Sequence, residues 1–316
     1  MRRFGSFLVV CVVVMIHSTL LAQNPDPDAA QKYGWGFDNF TDPSFNWDIY
    51  SHSFYGVPVD SNATWATATF DKLFYEQAFK TKLPDPSGSG TGGAGNCFGI
   101  SLLSLMVNRF GGYYGYCAPT ISYGGDTGGG NGGPSDPALH RIINIMHGRQ
   151  LSLAALEAYF DQSRSGHSQH SSYGVQLAKE VIGKEGPCIV SITNEENPAD
   201  GSGGHTMIAY GVTGTPPNMR IWVVDPNRIW VVDDPSNRGW YTSNQNFITC
   251  NTGTGSWSFT MAGGDVYPSG NGNLIILPAS LVGPPGRVPS SLGLAVGELI
   301  TKLLLSGNTD GGTIGH

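Results

Sequence analysis

The sequence has little charge. Asp, Glu, Lys and Arg together make up 13% of its 316 residues, about half the share found in an average soluble protein. Only 17 of them are basic, against 24 acidic, and no cluster of Lys or Arg forms a footprint for a nucleic-acid backbone, which argues against nucleic-acid binding. Long apolar runs are missing too. Even the apolar run Phe7–Ile16, broken off by His17 and Ser18, is about half the roughly 20 residues of a bilayer span. Leu292–Leu305 is interrupted by Glu298 and Lys302, so it reads as a terminal helix docked on the protein. Metal motifs are also absent: there is no Cys-x-x-Cys and no His-Glu-x-x-His. The pairs His167/His170 and His140/His147 fall short of the three or four convergent ligands that zinc requires, and read as a solvated loop and a helix surface. No metal or cofactor is expected.

Glycine (45) and proline (20) are plentiful, while 40% hydrophobic residues still supply a core. That balance describes a loop-rich extracellular chain. Met1-Arg2-Arg3 followed by Phe7–Ile16 has the charged and apolar regions of a secretory signal peptide ending near Ala22, which predicts a secreted or periplasmic protein. Cys11 leaves with that segment. Cys97, Cys117, Cys188 and Cys250 stay, and if Cys97 is kept free the other three form at most one disulfide.

The stretch Gly95-Asn96-Cys97-Phe98-Gly99-Ile100-Ser101 is the organising feature. It follows the glycine-rich segment 87–94 and opens a run in which Phe98, Leu102, Leu105 and Met106 recur at helical spacing before Gly111-Gly112 closes it. The spacing predicts a helix with Asn96 as N-cap and Cys97 as its first residue. A thiol there meets the positive end of the helix dipole and the unpaired N–H groups of the first turn, which favour the thiolate. Downstream, Gly204–Val212 and Met219–Val224 have strand composition, with a turn at Thr213–Asn218. A hairpin centred near Thr215 sets His205 directly opposite Asp225, at the spacing a carboxylate needs to hold an imidazole in one tautomer. Cys97, His205 and Asp225 are thus a candidate nucleophile, base and orienting acid. A near-repeat of the second strand, Arg228–Pro235, supplies Asp233 and Asp234 as rivals for the third place. A turn at Asp225-Pro226-Asn227 carries them away from His205, so Asp225 is preferred.

These three blocks, Gly-Asn-Cys-Phe-Gly, Gly-His-Thr-Met-Ile-Ala-Tyr-Gly-Val and Val-Val-Asp-Pro-Asn, resemble the papain-fold cysteine peptidases, particularly their bacterial C39-like branch. The resemblance implies an α+β, papain-like fold, with an N-terminal helical subdomain whose nucleophile helix packs against a C-terminal antiparallel β subdomain. It implies a peptidase domain over 45–282, after a leader segment at 23–44 and before a Pro-rich linker, terminal helix and flexible tail at 283–316. It also implies a peptide or protein substrate and a Cys–His–Asp thioester mechanism needing no cofactor. Where such peptidases carry a Gln shortly before the nucleophile as oxyanion donor, this chain has Thr, Gly and Ala, with Gln77 far upstream. Asn96 is the nearby amide and takes that role in this reading. Three other readings stay open: a catalytically inactive binding module on the same fold, an amidase or transpeptidase acting on cell-wall peptides, and a carbohydrate-binding surface. The last would use the aromatic stretch 33–83, which otherwise reads as core packing with a helix at Asp71–Lys80.

Overall fold

The structure is a computed structural model that describes residues 25–42, 45–62, 71–80, 83, 95–126, 132–164, 166–194, 204–228, 246–261, 264, 266–268 and 272–289. The segments read as a signal peptide (1–22), as the second copy of the strand repeat after Arg228 with Asp233 and Asp234, and as a terminal helix (292–305) lie outside those residues. The fold mixes helix and antiparallel sheet in the α+β manner. Its helices are α1 (Ala29–Tyr33), α2 (Trp47–Ser53), α3 (Cys97–Phe110), α4 (Pro137–Gly148), α5 (Leu153–Arg164), α6 (Ser171–Glu185) and α7 (Ala279–Val282). The helix expected at Asp71–Lys80 is present and contains a π-helical turn at Tyr75–Phe79. Helix α3 begins and ends where glycine and periodicity place it, closed by Gly111 at φ +69°, a left-handed conformation that glycine adopts without steric cost.

Two short strands, β1 (Gly125–Asp126) and β2 (Gly133–Pro134), pair within what the sequence shows only as a glycine-rich loop. The main sheet contains β3 (Cys188–Asn194), β4 (His205–Thr215), β5 (Asn218–Val224), β6 (Phe247–Asn251), β7 (Trp257–Thr260), β8 (Val266–Tyr267) and β9 (Gly272–Leu277). Its seven strands run in the order β8-β7-β6-β5-β4-β3-β9, antiparallel throughout. Period-two alternation sends Ile189, Ile208 and Val224 into one apolar cluster with α3 and α4. Val190, Met207, Ala209 and Val223 enter another with Val175, Ala178 and Val181 of α6. The sheet is therefore covered by helices on both faces, where the sequence reading had a helical subdomain packed against a separate β subdomain.

Strand β9 lies at an edge of the sheet, yet it is fully buried. The Gln162 side chain from α5 receives the Ile276 N–H on Oε1 at 3.0 Å and donates from Nε2 to the Ile276 carbonyl at 2.9 Å. Replacing Gln162 with Leu orphans both backbone groups. At about 1–3 kcal/mol for each buried unsatisfied group, the variant should lose several kcal/mol in urea unfolding with little change in the slope of the transition.

The aromatic residues of the N-terminal region are mostly core. Trp35, Phe37 and Phe40 join the α3 cluster, while Phe45, Tyr50, Phe54, Phe74 and Phe79 form a third cluster with Ile145 and Leu151. Segment 23–44, read from sequence as a leader outside the catalytic domain, therefore contributes to the same core as α3. The Trp35 indole donates to the Ile100 carbonyl at 3.1 Å and the Ser104 hydroxyl to the Tyr33 carbonyl at 2.6 Å. His147, read as a helix-surface residue, is buried between α3 and α4 at 2% exposure. Among the described residues, no helix is long and apolar enough to cross a membrane.

Candidate active site

Cys97 is the first residue of α3, and its preceding backbone is anchored. Asn96 N–H donates to the Phe40 carbonyl at 2.8 Å, and the Asn96 carbonyl accepts the Ile100 N–H at 2.9 Å. The thiol is 6% exposed. His205 is the first residue of β4, paired with Ile192 of β3, and Asp225 is the first residue beyond β5. All three groups thus sit at the ends of their elements, where α3 meets the end of the sheet.

The β4–β5 hairpin turns through Pro216-Pro217 alone, since Thr215 already pairs with Asn218. This differs from the longer turn expected from sequence. The ladder runs in that register to Gly211 opposite Trp222, skips Tyr210 as a bulge, and resumes with Ala209 opposite Val223 and Ile208 opposite Val224. Continued one step, it sets Asp225 opposite Met207 and diagonal to His205, on the same side of the ladder. Without the bulge Asp225 would face Ile208 and project the other way, because one residue of slippage inverts a strand. Diagonal neighbours are within reach of long side chains, and His205 Nε2 meets Asp225 Oδ1 at 2.7 Å.

The pair is buried, with His205 at 4% and Asp225 at 1% exposure. Burial alone would lower the His205 pKa. The Asp225 charge and hydrogen bond, together with a hydrogen bond to Cys97, raise it instead, from 6.5 to about 10. Burial likewise works against an ionised Asp225, but His205, Arg228 and the Asn227 N–H hold its carboxyl below the ordinary range. With Nε2 engaged by Asp225, Nδ1 is the ring nitrogen left for the Cys97 sulfur. Asp225 and Cys97 thus both act on the His205 ring, the carboxylate through a direct bond to Nε2.

Compared with known proteins, the chain matches no family model, no curated sequence and no solved structure at a significant level. What the site can do follows from its own geometry.

Asn96 occupies the N-cap position, but its side chain makes no capping bond. It is 0% exposed and donates from Nδ2 to Asn144 Oδ1 at 2.7 Å, and Asn144 passes the chain on to Asp42 at 2.5 Å. The amide assigned to the oxyanion thus serves the α3–α4 interface. The N–H groups of the first turn of α3, which a helix leaves without intrahelical partners, are the donors beside the thiol. Sequence reasoning also missed Arg228, which is 4% exposed, lies 3.4 Å from Asp225 Oδ2 through Nε, and stacks its guanidinium 5.1 Å from the Phe259 ring. Its place directly after the Asp-Pro-Asn turn was the available signal. All four described cysteines are free, with Cys117 exposed and Cys97, Cys188 and Cys250 buried. Among the described residues no group of His, Cys, Asp and Glu is arranged to hold a metal ion.

Two histidines give the fold opposite pH limbs. The folded-state pKa of His205 is raised, so its contribution is complete below about pH 6.5 and is lost as pH rises through about 10. Burial keeps His147 neutral, with its pKa lowered to about 3. Its contribution is therefore complete above about pH 6.5 and is lost as pH falls toward 3. The lowered Asp225 adds to the acid limb. Melting temperature measured from pH 4 to 10 should peak between these limbs, and a His205→Gln variant should lose most of the alkaline slope.

Proposed function

We propose that the chain is a cysteine peptidase of papain-like type that hydrolyses peptide bonds through a thioester on Cys97. The observation that carries this reading is the site itself: a buried cysteine at the first position of a helix, beside a histidine whose charge it helps to stabilise and whose Nε2 is held 2.7 Å from a buried carboxylate. The Cys97 thiolate attacks the substrate carbonyl carbon, and the first-turn N–H groups of α3 stabilise the oxyanion. His205 gives its proton to the leaving amine as the C–N bond breaks, then takes a proton from the water that opens the thioester, regenerating thiolate and imidazolium. Asp225 holds the ring and its charge throughout. The signal-peptide reading makes the substrate an extracellular or periplasmic peptide or protein.

The reading is tested by incubating the purified protein with an unfolded protein substrate and, separately, with a peptidyl aldehyde. New amino termini that require Cys97, and a reversible adduct mapped to Cys97, are expected. Neither product appearing would remove the peptidase assignment. An aldehyde adduct without hydrolysis, together with transfer of the acyl part of a peptide substrate to an added amine as the substrate's own amine leaves, would redirect it to transpeptidation by the same three groups.

A further inference from the structure

Asn39 belongs to the N-terminal segment that the sequence places outside the catalytic domain, yet its side chain reaches the site from a third direction. Its Nδ2 donates to Asn227 Oδ1 at 2.8 Å. Asn227 N–H donates in turn to Asp225 Oδ1 at 2.9 Å, the same oxygen that meets His205 Nε2. The other end of the amide is fixed, because Asn39 Oδ1 accepts the Phe40 N–H at 3.0 Å. On its remaining side the amide lies against Gly95, two residues before Cys97. A Cβ at Gly95 would stand 2.5 Å from Asn39 Nδ2 and 3.2 Å from its Cγ, so the glycine there is what admits the side chain. The segment is itself stitched in place, by Phe40 to Asn96 at 2.8 Å and by Asp38 N–H to the Asp126 carbonyl at 3.0 Å.

We propose that Asn39 is a positioning residue of the Cys97–His205–Asp225 site, which clamps the Asp225–Asn227 turn to the Gly95 loop and so fixes the carboxylate against the imidazole. The assignment rests on the peptidase reading for its purpose, though not for its geometry. It makes the N-terminal segment an integral wall of the site, so removing that segment would disable the relay rather than activate it.

Asn39 carries no charge. The charged and titratable groups that face the relay are Asp225 and Cys97 on His205, and Arg228 and Asp38 on Asp225. Truncating Asn39 alters none of these, so any change in His205 titration reports a displaced Asp225.

The experiment follows the His205 ring by 15N NMR across pH in the mature protein, in Asn39→Ala, in Asn227→Ala and in the double variant. Thermal melting is recorded alongside, together with iodoacetamide labelling of Cys97 at pH 6. Each single variant should lower the His205 midpoint by about half a unit or more and slow Cys97 labelling about tenfold, the double variant adding nothing further because both ends belong to one hydrogen bond. If Asn39→Ala fails to fold, Asn227→Ala removes the same bond from the other partner and carries the test. A folded variant whose His205 midpoint is unchanged overturns the positioning role. A midpoint that moves in a protein whose wild-type Cys97 is unreactive upholds that role and overturns the peptidase reading instead.

Discussion

On the proposed peptidase reading, a His205→Ala variant is expected to lose about four orders of magnitude in peptide hydrolysis, close to the loss from Cys97→Ala, because members of a triad act as a unit. The alkylation profile of Cys97 gives the same answer without a known substrate. In the wild type the imidazole beside the sulfur remains cationic across the neutral range, since Asp225 and the thiol hydrogen bond raise its pKa to about 10. A thiolate paired with that cation should react with iodoacetamide well below pH 8. In His205→Ala the low-pH reaction should collapse and the remaining rate should rise only as an ordinary thiol ionises. Asp225→Asn is expected to fall between these limits: it preserves shape but removes the charge that holds the imidazolium. Labelling from pH 4 to 9 with peptide mapping separates the three cases, and a wild type that labels like its His205→Ala variant would dispose of the relay.

The second large effect concerns stability and sits two residues from the nucleophile. Gly99 lies where α3 crosses α4 with backbone nearly touching backbone. A Cβ there would run into the Ile143 carbonyl oxygen and stand 2.9 Å from the His147 nitrogen. These are main-chain atoms that no rotamer change relieves, so Gly99→Ala must separate the two helices. The separation would disturb the Asn96–Asn144–Asp42 chain that ties them. Overpacking of this kind costs about 1–3 kcal/mol or more. For a domain of this size that is a fall of roughly 5–10 °C in melting temperature, and Gly99→Leu should leave no folded protein at all. Cys97 labelling in the alanine variant should weaken in parallel, since the start of α3 moves with the crossing.

Much of the site was readable because its signals are local. The change from glycine-rich loop to helical periodicity marks the start of α3 and puts Cys97 at its first position, where the structure has it. The strands carrying His205 and bordering Asp225 show their composition plainly. The geometry joining them was not readable. The turn lies later than expected, which slides the β4–β5 register by three residues, and the bulge at Tyr210 returns one of them. An even offset remains, so His205 and Asp225 still share a side, as diagonal rather than direct neighbours. Gly211 inside the strand is the one local sign of a bulge, and it does not fix which residue is skipped. The fate of Asn96 was hidden for a similar reason: its partner Asn144 lies on another helix, and a cap position alone does not show where a side chain turns. Asn39 reaches Asn227 across 188 residues, which short-range patterns do not report, whereas Arg228 lies three residues from Asp225 and was within their reach.

The Gln162 bond to Ile276 also governs what may approach the sheet from outside. An extended peptide commonly docks by adding itself as one more strand to an exposed edge, and a protein with the proposed activity would meet such peptides continually. At β9 the N–H and carbonyl of Ile276, in a strand that is buried along its length, are already occupied by an amide from the protein's own helix. Among the described residues the opposite edge, β8, is two residues long. Unfolded chains near this molecule therefore find little template for sheet extension at either margin, which spares it from co-aggregating with the polypeptides it is proposed to cut.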